Sequence, residues 1–131
     1  MRDIVVVGAA ETKFGKLQGS FRDIAAEAGR GAMSDAGIRP ADVQALYLGT
    51  FAPGTFIHQE HTAPLVGSML GLGHVPSTRT EDACASGSTA FLQGIMAIAA
   101  GLCDTVLVVG AEKMTATSTD ETTQILSLIH I

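Results

Sequence analysis

Three short runs of branched apolar residues, each ending at a glycine, constrain the fold most. They are IVVVGA (Ile4–Ala9), ALYLGT (Ala45–Thr50) and TVLVVGA (Thr105–Ala111). Continuous rather than alternating hydrophobicity marks strands covered on both faces, which occur in parallel sheets flanked by helices. The stretches between them read as helices. Ser20 and Asp23 form an N-cap with its reciprocal partner. Ile24, Ala25, Ala28, Ala32 and Ala36 then make one helical stripe, and Gly37, Ile38 and Pro40 stop it. Gly29 and Gly31 each cost such a helix about 1 kcal/mol against alanine, which is tolerable if something packs closely there. The segment FAPGTFIHQEHTAP reads as a loop, Leu65–Gly73 as a short helix closed by glycine, and VPSTRTEDA as a weaker strand. Gly87–Leu102 reads as a helix that is apolar on nearly every side, with Phe91, Ile95, Ile98 and Leu102 in one row. The order strand, helix, strand, helix, strand, helix, strand implies an α/β fold with a mixed, mostly parallel sheet.

A helix apolar all round must be covered all round, and one sheet covers a single side. A chain of 131 residues makes one domain. The helix from Gly87 therefore calls for a second layer from outside this chain. The part from Thr115 onward reads as an exposed loop, and the ending LSLIHI has no cap or stop signal. Residues 127–131 resemble a translated sequencing adapter and are read as a non-native tail.

The net charge of −5, with the eight basic residues scattered singly, argues against nucleic acid or an anionic membrane as partner. Residues 83–103 carry no charge, but their solidly apolar part is shorter than the roughly 20 residues that span a bilayer. No secretory signal is evident at the N-terminus. Two cysteines make no disulfide framework, so a reducing, cytoplasmic setting is expected.

Cys84 is the residue most open to a chemical role. It lies between a strand and a helix start, where unpaired amides favour negative charge and a thiolate is the nucleophilic form. Ala83, Ala85, Ser86 and Gly87 leave room around it. Glu81 and Asp82 oppose an anionic sulfur, and a neighbouring base would have to compensate. Spacing alone leaves Cys84 open between a nucleophile and a small buried hydrophobe. Cys103 reads as the latter. His58 and His61 lack a third ligand and His74 reads as a turn residue, so no metal is expected. Gly8-Ala9-Ala10 lacks the second glycine of a dinucleotide fingerprint.

EDACASGSTAF resembles the Cys-x-Ser-Gly nucleophile motif of thiolases. TVLVVGAEKMT is similar to that family's next strand and its Gly-x-Glu-x-Met turn. IVVVGAAETKFGK resembles the opening strand of the bacterial, archaeal and sterol-carrier-type branch. The likeness covers Arg2 to about Leu126. It implies part of the N-terminal half of a layered α-β-α protein, with residues 1–131 a partial thiolase N-terminal domain. It further implies an acyltransferase in which Cys84 takes an acyl group from a coenzyme A thioester and passes it on, with Ser86 and Gly87 beside the substrate. Acyl-CoA is then the substrate, no separate cofactor is needed, and the full-length protein is a homodimer or homotetramer. The family's Gly-His-Pro motif and second active cysteine do not occur here, so the 131 residues alone are expected to lack turnover. Alternatives within the superfamily are ketoacyl synthases and hydroxymethylglutaryl-CoA synthases. A non-catalytic acyl-CoA or lipid binder on the same scaffold is a third reading.

Overall fold

A computed structural model of the chain describes residues 2–127; most of the suspected non-native tail lies outside them. The elements run α1 (Phe21–Ala36), β1 (Ala45–Gly49), α2 (Pro53–Ile57), α3 (Thr62–Leu70), β2 (Ser77–Thr80), α4 (Ser86–Ala99), β3 (Val106–Gly110) and α5 (Thr119–Ser127). The sheet has the order β2-β1-β3, and both pairings are parallel.

Side chains of β1 and β3 alternate between two helical layers. On one face Leu46, Leu48, Leu107 and Val109 are buried with Ala25, Ala26 and Met33 of α1 and Ala63, Val66 and Leu70 of α3. On the other face Tyr47, Val106 and Val108 approach Gly94 of α4 and are only half-buried. The result is the layered α-β-α arrangement expected, with its densest core on the α1/α3 side.

The signals at the ends of α1 hold. The Ser20 hydroxyl accepts from the Asp23 amide, the Asp23 carboxylate accepts from the Ser20 amide, and Gly37 closes the helix with φ 68°. That hydrogen bonding with Ser20 also holds the Asp23 carboxyl below the usual carboxylate range. Its buried stripe is turned from the one expected: Phe21, Ala25, Ala26, Gly29 and Met33 face the core, while Ile24, Ala28, Ala32 and Ala36 are half-buried. The two helical glycines mark close approaches. A Cβ on Gly29 would lie 2.9 Å from Leu70 Cδ1, and one on Gly31 would lie 2.6 Å from Ala10 Cβ.

Four sequence expectations need correction. The run Ile4–Ala9 joins no sheet, and Val5, Val6 and Val7 are 74%, 68% and 62% exposed. It runs along α1, where Gly8 packs on the backbone of Ala32 and Ala36 and the Ala9 amide donates to Asp35 Oδ2 at 2.9 Å. A cleft of about 700 Å³ lies beside it, lined on one side by Ile4–Gly8 and on the other by Val106–Gly110. A strand forms by pairing, and among the described residues no backbone pairs with this run. Second, the stretch taken as loop holds α2 and the first turn of α3, where Pro53 and Pro64 cost little because first-turn amides have no helical partner. Third, the exposed loop after Thr115 contains α5, capped by the Ser118 hydroxyl accepting from the Glu121 amide and anchored by buried Ile125. Fourth, α4 stops at Ala99, ahead of a left-handed Gly101, so Leu102 lies beyond it.

Helix α4 turns its small residues, Ser86, Ala90, Gly94 and Ala97, toward the sheet. Phe91, Leu92 and Met96 face outward and are 45%, 53% and 56% exposed. With Val5–Val7 also exposed, the chain shows water many large apolar side chains, and such exposure drives association. The isolated 131-residue chain is therefore expected to self-associate at micromolar concentration and to bind a hydrophobic dye strongly. Sedimentation of a monodisperse monomer with little dye binding would contradict this.

Candidate active site

Because the sheet is parallel, the C-terminal ends of all three strands open onto one edge. Gly49 and Gly110 are register partners there. The start of α4 comes down on this pair. A Cβ on Gly49 would lie 2.5 Å from the Ser86 carbonyl oxygen and 2.7 Å from Gly87 Cα, and one on Gly110 would lie 3.8 Å from the same Cα. At Gly49 only glycine permits so close a backbone approach, whereas at Gly110 the contact is an ordinary one.

Cys84 lies just before that contact, in a single 3-10 turn, Ala83–Ala85, and its side chain is exposed. The turn is strained and firmly held. Ala83 has φ 44°, a left-handed conformation uncommon for alanine. The Ala83 amide donates to Glu81 Oε1 at 2.7 Å, and the Asp82 amide donates to Ser86 Oγ at 2.8 Å. Ser86 Oγ in turn donates to the Ala83 carbonyl at 2.7 Å. The Thr89 hydroxyl donates to Asp82 Oδ2 at 2.7 Å. Backbone strain of this kind persists only where surrounding bonds over-determine it, and it clusters at functional sites.

The sequence candidates therefore fall into different places. Cys84 faces solvent rather than a core. Gly87 is exposed at the same edge and lines the cleft beside β3. Ser86 is 4% exposed, and its hydroxyl is engaged inside the turn rather than offered to a ligand. Glu81 and Asp82 are tied into the turn as acceptors, which gives the acidic pair a structural task. Cys103 is half-buried after α4. His58 closes α2 with φ 54°, His61 precedes α3, and both are exposed.

Glu112, the glutamate of the Gly-x-Glu-x-Met turn, belongs at this edge, although nothing in the sequence assigns it a role. It follows β3, and its carboxylate accepts from the Phe51 amide at 2.6 Å and from the Thr50 hydroxyl at 3.2 Å. Burial pushes its carboxyl above the usual carboxylate range; bonds from the Phe51 amide, the Thr50 hydroxyl and the Ala52 amide, and the charge of Arg79, oppose that rise. The Thr50 amide donates to the Thr80 carbonyl at 3.1 Å, and the Thr80 hydroxyl to Gln93 Oε1 of α4 at 2.7 Å. The three strand ends and α4 are thus laced together beneath Cys84.

The acetyl-CoA acetyltransferase of Methanothermobacter thermautotrophicus is 52% identical over 116 residues, 88% of this chain and 30% of that protein. The acetyl-CoA acetyltransferase of Methanocaldococcus jannaschii is 47% identical over the same shares. This chain thus spans about 30% of the length of these curated relatives. Among solved structures, acetyl-CoA acetyltransferase from Syntrophomonas wolfei aligns with TM-score 0.65 at 25% identity, over 76% of this chain and 26% of that one. AbyA1, a tetronic acid condensing enzyme, aligns with TM-score 0.69 at 25% identity, over 82% of this chain and 33% of that one. Residues 4–131 match the family described as thiolase, N-terminal domain. With its fold and its Cys-x-Ser-Gly turn, the chain belongs to the thiolase family, of which it represents N-terminal-domain sequence.

Proposed function

We propose that this chain carries the nucleophile of an acyltransferase acting on coenzyme A thioesters, with Cys84 as the acyl carrier. The observation that supports it best is an exposed cysteine on a strained, hydrogen-bonded turn at the start of α4. The amides of that helix start are of the kind that hold an oxyanion forming beside the sulfur.

The reaction runs in two halves. In condensation, the Cys84 thiolate adds to the carbonyl of an acyl-CoA, the carbon–sulfur bond to coenzyme A breaks, and its thiolate leaves and takes a proton. A second acyl-CoA, deprotonated at the carbon next to its carbonyl, then attacks the acyl-cysteine and releases Cys84 as thiolate. Thiolysis is the reverse: Cys84 adds to the 3-keto carbon, the bond to the neighbouring carbon breaks, and a coenzyme A thiol takes the acyl group. Both directions need proton transfers. Glu81 and Asp82 already accept hydrogen bonds within the turn, so this reading assigns those transfers to residues outside the 131.

The test is mass spectrometry of the full-length protein incubated with acetyl-CoA, with peptide mapping, beside iodoacetamide labelling. One acetyl group on Cys84, and protection of Cys84 from labelling by acyl-CoA, are expected. Tight acyl-CoA binding with no covalent adduct and no protection would support the non-catalytic binder instead.

A further inference from the structure

We propose that Glu112 is a positioning residue for Cys84, an inference that rests on the acyl-transfer reading above. Its carboxylate bridges the ends of β1 and β3. It extends from β3 and holds Thr50 and Phe51, the two residues that follow Gly49 in β1. The Ala111 amide donates to the Gly49 carbonyl at 3.1 Å, so side chain and backbone clamp the same two strand ends. Gly49 is the seat of α4: its Cα faces the Ser86 carbonyl and Gly87 at distances that leave no room for a methyl group. Ser86, two residues after the nucleophile, carries the bonds that hold the Ala83 turn. A continuous path of contacts therefore runs from Glu112 through Thr50, Phe51 and Gly49 to Ser86 and Cys84. Thr50 is 2% exposed, so its hydroxyl has no ready solvent replacement for the carboxylate.

A role confined to stability would lower the melting point and leave the reactivity of folded molecules alone. A positioning role alters the reactivity of Cys84 in folded protein, since a displacement of about 1 Å can cost roughly a hundredfold in rate. In the full-length protein, Glu112→Ala is expected to slow both alkylation of Cys84 by iodoacetamide and its acetylation by acetyl-CoA. The slowing should be about tenfold or more, measured where circular dichroism shows the variant fully folded. Glu112→Gln keeps an oxygen for the Phe51 amide and offers a donor to the Thr50 hydroxyl, so it should recover most of the rate. Glu112→Asp is one methylene too short to reach both and should not. If Glu112→Ala does not fold, Thr50→Val keeps the shape and removes the hydroxyl, and the same slowing in smaller degree is expected. Unchanged alkylation in folded Glu112→Ala, or in folded Thr50→Val where that variant stands in, overturns the proposal. Wild-type protein that alkylates normally yet never acetylates would overturn the acyl-transfer reading instead, and the alkylation comparison would still report on Glu112.

Discussion

Replacing Cys84 with serine in the full-length protein is expected to abolish the acetylated intermediate and lower turnover by about 10⁴-fold or more, the scale seen when a covalent nucleophile is removed. The argument is chemical rather than steric. Oxygen and sulfur fill similar space, and this side chain projects into solvent, so packing is undisturbed. The turn is held by Ala83, Asp82, Ser86 and Thr89, none of which bonds to the sulfur, so the geometry should survive. What disappears is the sulfur, whose thiolate is the nucleophilic form. A hydroxyl in its place needs a paired base, and the two nearest carboxylates in sequence are committed elsewhere. The melting temperature should stay close to wild type, as for most exposed substitutions, which fall within about 0.5 kcal/mol. Steady-state rates and trapped-intermediate mass spectra of the two proteins decide the matter. A serine variant within tenfold of wild type would remove Cys84 from the mechanism.

The parts of this fold legible in the sequence are those whose signals are local. Ser20, Asp23 and Gly37 mark α1 because capping involves residues three or four apart. ALYLG and VLVVG are strands because each finds the other, and their branched side chains are covered on at least one face. IVVVGA carries the same signal and fails, because an apolar run states a need for cover without supplying the neighbour. Its nearest strand edge lies across a cleft. Helix α5 has a local signal too: Ser118 and Glu121 stand three apart, the spacing of a capping box, in a segment whose polarity reads as a loop. Similarly, Pro53 fits the first turn of α2 as well as it fits a loop.

The candidate site divides the same way. A cysteine among small residues before an apolar helix can be read directly. The left-handed Ala83 cannot, since alanine gives no hint of positive φ. Nor can the inward turn of the Ser86 hydroxyl, which bonds to the Asp82 amide and the Ala83 carbonyl. The bond between Glu112 and Thr50 spans 62 positions, and only the parallel pairing of β1 with β3 brings the two together. Charge in a loop looks solvated until the fold shows what it caps.

Two glycines at this edge should separate stability from reactivity. Gly49→Ala is expected to be among the most destabilising single-methyl additions in the chain. Its Cβ would stand 2.5 Å from the Ser86 carbonyl oxygen and 2.7 Å from the Gly87 nitrogen and Cα, all of them backbone. No side-chain rotation can relieve that contact. The strand cannot retreat either, because Gly49 is paired with Thr80 on one side and Gly110 on the other. The start of α4 must lift, and the loss should reach about 3 kcal/mol, the upper part of the range for overpacking. Whatever fraction folds carries Cys84 on a displaced turn, so its alkylation should slow as well. At Gly87 a Cβ meets nothing within 4 Å, and alanine is the better helix former by up to about 1 kcal/mol. Gly87→Ala should therefore melt at or above the wild-type temperature. Its methyl group nevertheless stands on the exposed side of α4, three residues from the thiol, where an acyl group must approach. Acetylation of Cys84 should fall while stability does not. Denaturant midpoints and acetylation rates for the two variants test the arrangement together: a Gly49→Ala protein as stable as wild type would mean that α4 does not rest on the strand ends, and the geometry placing Cys84 above them would fail with it.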